Sequence, residues 1–523
     1  MMRALLLLLC LLSAQAWAVV YIDCSCSTNG NGTTTTCGAT GPFNAAVTTV
    51  SASTEYSYAR GSTCALASTA ITVNQNSVTL SAYGSGAKPI ITAGTTTYPL
   101  VLGAANSANI SGLDIRAGSS GAININGTGT GSTIEDVSIN TAVIGFIVNA
   151  AGVASLTLSN MDITCTGATS ICTQVSANGG GIVFEDSSIT LTASDRSSTS
   201  LIGLRLAGTA TTADSLTISG GNLGVEIRTT DGHTVQNSSV SGQSVSGIRI
   251  RDSDNNKIRD NIVYDVWDGV AYNSGTGAGI DLIDVSDACG SNRIERNYLY
   301  RNYQAIVDQC DVGGGNWFVS NTIRNHRVNG ISYQSDGAEG QILNNSILHD
   351  PDEGVGHGIV IQQGSVTTTA RILNNTCTNM QAGDNIQCVS LPLSASTGPT
   401  LINNNNWYAG VNGAYLAKLD QGTCSAVTSP PWCSYTTLAS WQTALGTDAD
   451  TTGDDAASLS TVPRWVGGPT PSTAAGFKIS SNSALIRGGI CYSTSGCIAP
   501  DFERRRAFVP PDIGAYQRVV GDP

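Results

Sequence analysis

Six charged side chains in the middle of the sequence are of types that could form one site. Only 12% of the residues in this chain are charged, so a local concentration of charge stands out. The six residues are Arg205, Glu226, Arg228, Arg249, Arg251 and Asp281. Guanidinium groups bind carboxylates, while a pair of carboxylates can hold Ca²⁺, orient the arginines or act as an acid and a base. Whether they act together depends on the elements that carry them.

These residues lie on a repeated pattern, a small residue followed by apolar-x-apolar, which occurs eleven times between Ala122 and Leu391. Two examples are Gly203-Leu204-Arg205-Leu206 and Gly247-Ile248-Arg249-Ile250. A side-chain period of two indicates a strand, and a repeat of about 22–30 residues is typical of one coil of a parallel β-helix. We therefore expect an all-β solenoid, a single-stranded parallel β-helix whose coils stack about 4.8 Å apart.

The middle residue of each pattern should point outwards, and charge occurs there in only four consecutive coils. The predicted outward column is Asn124, Ile147, Val183, Arg205, Glu226, Arg249, Asp281, Val307, Ser332, Val360 and Ser390. Arg228 and Arg251 belong to the next outward column. A solvent-exposed ladder of ion pairs, each worth about 0–1 kcal/mol, explains this column as well as a functional site does.

A second landmark keeps step with the first, an apolar residue followed three positions later by Asn. The pairs are Ile258/Asn261, Ile294/Asn297, Phe318/Asn321, Ile342/Asn345, Ile372/Asn375 and Ile402/Asn405. Asn tolerates left-handed backbone in turns, and stacked Asn side chains can hydrogen-bond from coil to coil. We interpret these residues as structural.

The N-terminus has the features of an export signal. Residues 1–18 combine Arg3, a short apolar run and Ala16-Trp17-Ala18, a small-x-small cleavage site. The alternative, a membrane anchor, requires about 20 apolar residues, more than this run contains. We predict a protein that is secreted, periplasmic or on the cell surface.

The cysteines agree with an exported chain, because fourteen of the 15 remain after residue 18. Disulfides are favoured over a zinc site, since there is no Cys-x-x-Cys and His is scarce. The expected local pairs are Cys165/Cys172, Cys289/Cys310, Cys377/Cys388, Cys424/Cys433 and Cys491/Cys497. The pairing among Cys24, Cys26, Cys37 and Cys64 stays open.

Composition excludes several classes of partner. A formal net charge of −13 argues against a general nucleic-acid binder, and 41% hydrophobic residues argue against a disordered chain. After the leader, the sequence has no apolar segment long enough to span a membrane. We expect three parts: a signal peptide (1–18), an N-terminal cap with the parallel β-helix (19–410), and a C-terminal capping segment (411–523).

Both ends of the chain carry a resemblance. Tyr21-Ile22-Asp23 and the segment 82–91, together with Leu438-Ala439-Ser440-Trp441-Gln442 and Pro511-Asp512-Ile513-Gly514-Ala515-Tyr516, resemble secreted β-helix proteins of the pectate-lyase-like superfamily. The resemblance implies a right-handed helix and a carbohydrate partner. The superfamily includes lyases, glycosidases, esterases, epimerases and non-catalytic modules, so it does not define the reaction.

The arginine-rich patch favours polysaccharide lyase chemistry on an anionic, uronic-acid polysaccharide, and we expect the protein to act as a monomer. Arg249 and Arg251 would be catalytic, Arg205 and Arg228 would bind substrate carboxylates, and Glu226 and Asp281 would hold Ca²⁺ or orient the arginines. Side chains expected beside the patch are Trp267, Tyr272, Tyr298, Tyr303 and His233, of which the tyrosines are alternative bases.

Two alternatives stay open. Glu226 and Asp281 would lie two coils apart, about 9.6 Å, close to the roughly 6.5–9.5 Å carboxyl separation of inverting glycoside hydrolases. The third possibility is a non-catalytic glycan-binding or surface module. Gly356-His357-Gly358 matches a polygalacturonase motif, but we interpret His357 as a turn residue. Asp252-Ser253-Asp254-Asn255-Asn256 resembles a lyase motif with Asp252 in place of its Lys.

Overall fold

The structure is a computed structural model that describes residues 18–485 with short gaps. The gaps are 95–97, 105, 128–129, 142–143, 149–153, 168–170, 177–180, 193–200, 209, 269–275, 287, 311–314, 335–338, 350–355, 362–368, 381–386, 393–397, 412–413, 421–427, 430–431, 447–454, 456, 466–471, 479–482 and 484. The chain divides into two compact units, residues 1–166 with 172–188, and residues 167–171 with 189–523.

The first unit is a stack of coils whose strands form three parallel sheets, which we name A, B and C. Its sheet A strands are β1 (Ala18–Ile22), β2 (Thr54–Ala59), β5 (Thr79–Tyr83), β8 (Asn109–Ser111), β11 (Thr130–Glu135), β14 (Ala154–Ser159) and β17 (Ile182–Glu185). Its sheet B strands are β4 (Ile71–Val73), β7 (Leu100–Leu102), β10 (Gly121–Ile125), β13 (Ile144–Val148) and β16 (Ile171–Val175). Its sheet C strands are β3 (Thr63–Leu66), β6 (Ile90–Ala93), β9 (Asp114–Arg116), β12 (Ser138–Thr141) and β15 (Asp162–Cys165).

The second unit repeats the three sheets. Its sheet A strands are β20 (Thr211–Asp214), β23 (Thr234–Gln236), β26 (Lys257–Arg259), β29 (Arg293–Glu295), β32 (Trp317–Val319), β35 (Gly340–Leu343), β38 (Thr369–Leu373) and β41 (Gly398–Asn403). Its sheet B strands are β19 (Ile202–Leu206), β22 (Leu223–Arg228), β25 (Ser246–Arg251), β28 (Ala278–Ile283), β31 (Gln304–Gln309), β34 (Asn329–Tyr333), β37 (His357–Ile361), β40 (Gln387–Pro392), β43 (Ala417–Asp420), β44 (Thr428–Ser429) and β45 (Trp432–Tyr435). Its sheet C strands are β18 (Ser188–Leu191), β21 (Thr217–Gly220), β24 (Ser239–Ser241), β27 (Ile262–Tyr264), β30 (Tyr298–Tyr300), β33 (Thr322–Arg324), β36 (Ser346–His349), β39 (Thr376–Asn379) and β42 (Asn406–Ala409).

The expected fold is confirmed, since both units are right-handed parallel β-solenoids. Pairing becomes antiparallel only among the described strands after β43, where β45 pairs with β43 and β44. The described helices are α1 (Leu438–Gly446) and a 3₁₀ turn (Ala474–Phe477). No helix in the described part of the chain is long and apolar enough to cross a membrane.

Alternating side chains fill the interior of each coil. In the second unit, Leu204, Val225, Ile248 and Ile280 occupy one inward column, and all four are fully buried. Burying each such side chain contributes about 1.5–3 kcal/mol, which is the main source of stability for a stacked repeat. The intervening residues of each strand therefore face outwards.

The small residue that opens each sheet B motif has a steric cause. A Cβ placed on Gly224 would lie 2.5 Å from the Gly247 carbonyl oxygen and 2.5 Å from a Val240 methyl. A Cβ on Gly247 would likewise lie 2.5 Å from a Val263 methyl and 2.7 Å from the Gly279 carbonyl oxygen. At Gly224 and Gly247 the backbone thus passes too close to sheet C and to the next coil to leave room for a side chain.

The predicted asparagine ladder is present between sheets A and C. In each coil the Asn Nδ2 and backbone N–H groups donate to the Oδ1 of the Asn in the next coil, at 2.9–3.1 Å. The chain of donors runs through Asn261, Asn297, Asn321, Asn345, Asn375 and Asn405. The left-handed backbone, however, belongs to the residue before each ladder Asn, such as Asn344 (φ 58°) and Asn374 (φ 59°).

The disulfides agree with the predicted local pattern. Cys165–Cys172, Cys289–Cys310 and Cys377–Cys388 are bonded as expected, and the open set resolves as Cys24–Cys64 and Cys26–Cys37. Cys433 is also disulfide-bonded, while Cys424, Cys491 and Cys497 lie outside the described residues. Several disulfides are consistent with an extracellular protein.

One assignment in the outward column is wrong. Val183 lies on β17 of sheet A, opposite Thr157, and the sheet B strand of that coil is β16 with Gln174 outward. Thr173 occupies the inward position of β16, so this strand lacks the apolar-x-apolar pattern, which the segment 181–184 imitates on sheet A.

Candidate functional site: the outer face of sheet B

The outer face of β19, β22, β25 and β28 carries the predicted charged column. Arg205 lies opposite Glu226, Glu226 opposite Arg249, and Arg249 opposite Asp281, so the four occupy successive coils. Their neighbours in the strands are the buried inward residues, which fixes the charged side chains on the outside. We call Arg205, Glu226, Arg249, Asp281, Arg228 and Arg251 the sheet B patch.

The four charged residues of the column form two arginine–carboxylate pairs. Arg205 Nε donates to Glu226 Oε2 at 2.7 Å. Arg249 donates to Asp281 Oδ2 through Nε at 2.9 Å and also contacts it through Nη2 at 2.8 Å. The Ser246 hydroxyl donates to the same Asp281 oxygen and accepts from Arg249 Nη2, each at 3.0 Å. Glu226 is 3% exposed and Asp281 7%, so the arginines cover the carboxylates.

Arg228 and Arg251 form the second outward column, side by side in neighbouring strands. Arg251 Nε is 3.5 Å from Asp252 Oδ2, a long ion pair whose carboxylate also accepts from the backbone N–H groups of Val285 and Ser286. Arg228 has no ion-pair partner among the residues that the structure describes. Of the four arginines in the patch, Arg228 and Arg251 are therefore the least closely paired with carboxylates.

The aromatic residues predicted beside the patch are distributed unevenly. Trp267 is half-buried and lies between β27 and β28, and Tyr303 is half-buried directly before β31. Both thus lie at the entry to sheet B strands in neighbouring coils. Tyr272 lies outside the described residues.

Two other predicted residues do not join the patch. Tyr298 lies on sheet C, where its hydroxyl donates to the Ser472 carbonyl oxygen at 3.0 Å. His233 is fully buried, its Nδ1 accepts from the Thr211 N–H at 3.2 Å, and burial lowers its pKa to about 4. A short loop before a strand predicted exposure for His233, but stacking of the next coil covers it.

A calcium site built on Glu226 and Asp281 does not fit this arrangement. Ca²⁺ takes six to eight converging oxygen ligands, whereas these carboxylates lie in coils two apart and each contacts an arginine. Within the described ranges, the only cluster with metal-ligand spacing is Asp23, Cys26 and Cys37, whose two cysteines form a disulfide.

Sequence reasoning missed a buried carboxyl group next to the patch. Asp308 points inward on β31, where it is in register with Leu282 of β28, and it is fully buried. Its oxygens accept from Asn316 Nδ2 at 3.0 Å and the Cys310 N–H at 3.2 Å, and burial raises its pKa to about 7. The signal was visible, because Asp308 occupies the second apolar position of its motif.

A second charged cluster, on sheet A, was also missed. Arg296 bonds both oxygens of Asp260 at 2.9 and 3.0 Å and contacts Glu295 at 3.1 Å. Arg293 pairs with Glu295 at 3.0 Å and lies over the Trp317 ring at 5.2 Å. These side chains satisfy one another, which favours a structural role.

Comparison with known families agrees with this geometry. Residues 180–347 match the family model described as "Right handed beta helix region". Together with the three parallel sheets, this match supports the right-handed parallel β-helix fold that the sequence predicts. No curated protein sequence matches it.

Solved structures with a similar fold are distant in sequence. The tailspike protein of E. coli bacteriophage HK620, in complex with a pentasaccharide, is 11% identical over 70% of this chain and 71% of its own, with a TM-score of 0.42. Pectate lyase Pel9A is 13% identical over 96% of both chains, with a TM-score of 0.33. The Dettilon tailspike protein is 15% identical over 72% of this chain and 67% of its own, with a TM-score of 0.37.

Proposed function

We propose that the protein is a secreted polysaccharide lyase that binds an acidic, uronic-acid polysaccharide across the outer face of sheet B. The observation that carries the proposal is the pair Arg228 and Arg251, adjacent in register beside two arginine–carboxylate pairs. Strands in neighbouring coils are about 4.8 Å apart, so the two guanidiniums can bind one substrate carboxylate or two successive ones.

The paired arginines have a different role in this proposal. Arg205 and Arg249 are held by buried carboxylates, so their guanidiniums keep fixed positions along the sheet. Glu226 and Asp281 orient those arginines and do not bind Ca²⁺. A fixed guanidinium costs little further side-chain entropy when a polymer binds.

The reaction is a β-elimination. Binding the uronate carboxylate to arginine neutralises its charge, which makes the C5 proton more acidic and stabilises the charge that develops when it leaves. A base takes that proton, the C4–O bond breaks, a C4–C5 double bond forms, and water protonates the departing oxygen. In this step Arg228 holds the carboxylate, and we assign the base to Arg251, which must first release its own proton to solvent before it accepts the C5 proton, the role that Arg or Lys has in the β-helix lyases that this chain resembles.

Hydrolysis by Glu226 and Asp281 is less well supported. An acid–base pair must reach the glycosidic oxygen and a water, whereas both carboxylates are largely buried under their arginine partners. A non-catalytic glycan-binding module would use the same arginines without turnover. These two functions are therefore alternative outcomes of one experiment.

The test is a screen of uronate polysaccharides followed by absorbance in the band of unsaturated uronates. The lyase proposal expects new absorbance, lost about 100-fold or more in Arg251→Ala as expected for a catalytic proton acceptor, and a raised KM in Arg228→Ala. Arg116→Ala, an exposed arginine of β9 paired with Asp114, is the matched control and should retain full activity. New reducing ends without new absorbance would indicate hydrolysis in place of elimination. Retention of the polysaccharide by the protein without either signal would indicate a non-catalytic binding module.

A further inference from the structure

A cavity of about 450 Å³ lies against sheet C, away from the sheet B patch. Thr378 of β39 and Tyr408 of β42 line one side of it, and residues 462–465 line the other. The volume falls in the range of about 300–1,000 Å³ that small-molecule sites occupy. The cavity belongs entirely to the second unit.

The segment that forms the outer wall is firmly attached. The Leu459 N–H donates to the Asn405 carbonyl oxygen at 2.7 Å, and Asn406 exchanges two hydrogen bonds with the Thr461 backbone at 3.0 Å each. Trp465 then packs against Phe477, with ring centroids 5.0 Å apart, in a cluster with Tyr298 and Leu348. The cavity is therefore a preformed feature of the packed chain.

The lining combines aromatic rings, a cation and unpaired polar atoms. Tyr408, Trp465 and Met380 supply apolar surface. Arg464 is exposed and has no carboxylate partner among the residues described. Trp465 Nε1 and Thr378 Oγ1 are buried without a hydrogen-bond partner, an unfavourable state that a bound ligand would relieve. These features suit a ligand with an apolar ring face, oxygen acceptors and a negative charge.

We propose that this cavity is a second, non-catalytic glycan site that holds a uronic acid ring of the polysaccharide. Its choice of sugar rests on the proposed function. The ring face packs on Tyr408 and Trp465, and the carboxylate pairs with Arg464. No carboxylate or histidine lines the described cavity wall, so it binds without cleaving. A polymer held on sheet C is kept near the chain while sheet B acts on another stretch of it, which raises the effective substrate concentration.

The test measures binding of trisaccharides of galacturonate, mannuronate, guluronate and glucuronate by calorimetry, in an Arg251→Ala background that cannot turn them over. At least one probe should bind, at least tenfold more weakly in Arg464→Ala, since the variant loses a charge-assisted hydrogen bond. Trp465→Phe keeps the aromatic ring, removes Nε1–H and should weaken binding by a smaller factor. Arg301→Ala, which removes an exposed arginine that directly follows β30 and pairs with Asp265, should change nothing.

The outcomes separate this proposal from the previous one. Arg464-dependent binding without lyase activity in the wild-type protein would retain the cavity site and reject the lyase. Turnover by the wild-type protein, with binding indifferent to Arg464→Ala and Trp465→Phe, would reject the cavity site and retain the lyase. Absence of binding by every probe in the Arg251→Ala background would also overturn the cavity site.

Discussion

Acidification should destabilise the protein through His233, by an amount that can be calculated. The imidazole is fully buried, its Nδ1 accepts from the Thr211 N–H, and its Nε2 lies 3.0 Å from the Thr230 hydroxyl. Burial lowers its pKa from 6.5 to about 4. Below pH 6.5 the unfolded chain binds a proton that the folded chain rejects, so stability is lost as pH falls from about 6.5 to about 4. At pH 5 the loss is about 1.5 pH units times 1.36, or roughly 2 kcal/mol.

The assay is equilibrium urea unfolding at pH 8 and pH 5, with disulfides intact and with unfolding and refolding recorded together. His233→Gln removes the titrating group, so its free energy of unfolding should fall by about 2 kcal/mol less than that of the wild type between these pH values. Thr230→Val removes the hydroxyl partner without removing the imidazole and should shift stability equally at both pH values. Parallel pH curves for the wild type and His233→Gln would refute the reasoning.

Two further predictions concern the asparagine ladder and its end. Asp455 accepts hydrogen bonds from the indole N–H of Trp407, at 2.7 Å, and burial raises its pKa from 3.8 to about 6. The stabilisation that protonated Asp455 contributes should be lost as pH rises from about 4 to 6, so between pH 4 and pH 7 the free energy of unfolding of Asp455→Asn, measured in urea, should change relative to that of the wild type by about 2.4 kcal/mol in favour of the variant. Asn345→Leu would remove the acceptor of the Asn321 N–H and Nδ2 groups, and the side-chain donor to Asn375 Oδ1 and to the Phe318 carbonyl oxygen. It should cost about 3 kcal/mol or more in urea at pH 7, and a neutral effect would contradict the ladder.

The fold was predictable because two independent periodicities agree. Apolar alternation in motifs such as 247–250 identifies sheet B strands, and the Asn three residues after Ile258 or Ile294 identifies a turn once per coil. Both arise from stacking, since each inward residue and each ladder Asn contacts its equivalent in the next coil. A repeat of this kind carries its tertiary contacts in its sequence period.

The same reasoning explains which site residues sequence could place. Arg205 to Asp281 share one motif position, so their alignment follows from the period alone. Tyr298 and Trp267 lie between motifs, where coil length varies and position in sequence does not determine the sheet. Because Thr173 fills an inward position of β16, the apolar pattern did not reveal that strand. Because Asp308 fills an inward position of β31 that is usually apolar, its burial was not predicted.

The packing of the C-terminal residues could not be predicted from the sequence, because their contacts do not recur from coil to coil. Residues Asp448–Asp455 suggest a solvated loop by composition, yet Asp455 is fully buried between two tryptophans and bonded to Ser458. Trp465 covers the outer face of sheet C through packing that joins positions more than 100 residues apart in sequence, such as Leu348. Residue type favours exposure for Asp455, and only tertiary packing reverses it.

The pairing within the sheet B patch links its architecture to the proposed chemistry. An isolated arginine has about 2 kcal/mol of rotamer entropy, which binding would have to offset. Glu226 and Asp281 fix Arg205 and Arg249 before any ligand arrives, and the inward columns fix the strands beneath them. The two buried carboxylates are neutralised by these arginines and Arg251 lies beside Asp252, so Arg228 is the cation of the patch without a carboxylate partner among the described residues. The charge that a polyanion meets is therefore positive on a protein whose formal net charge is −13.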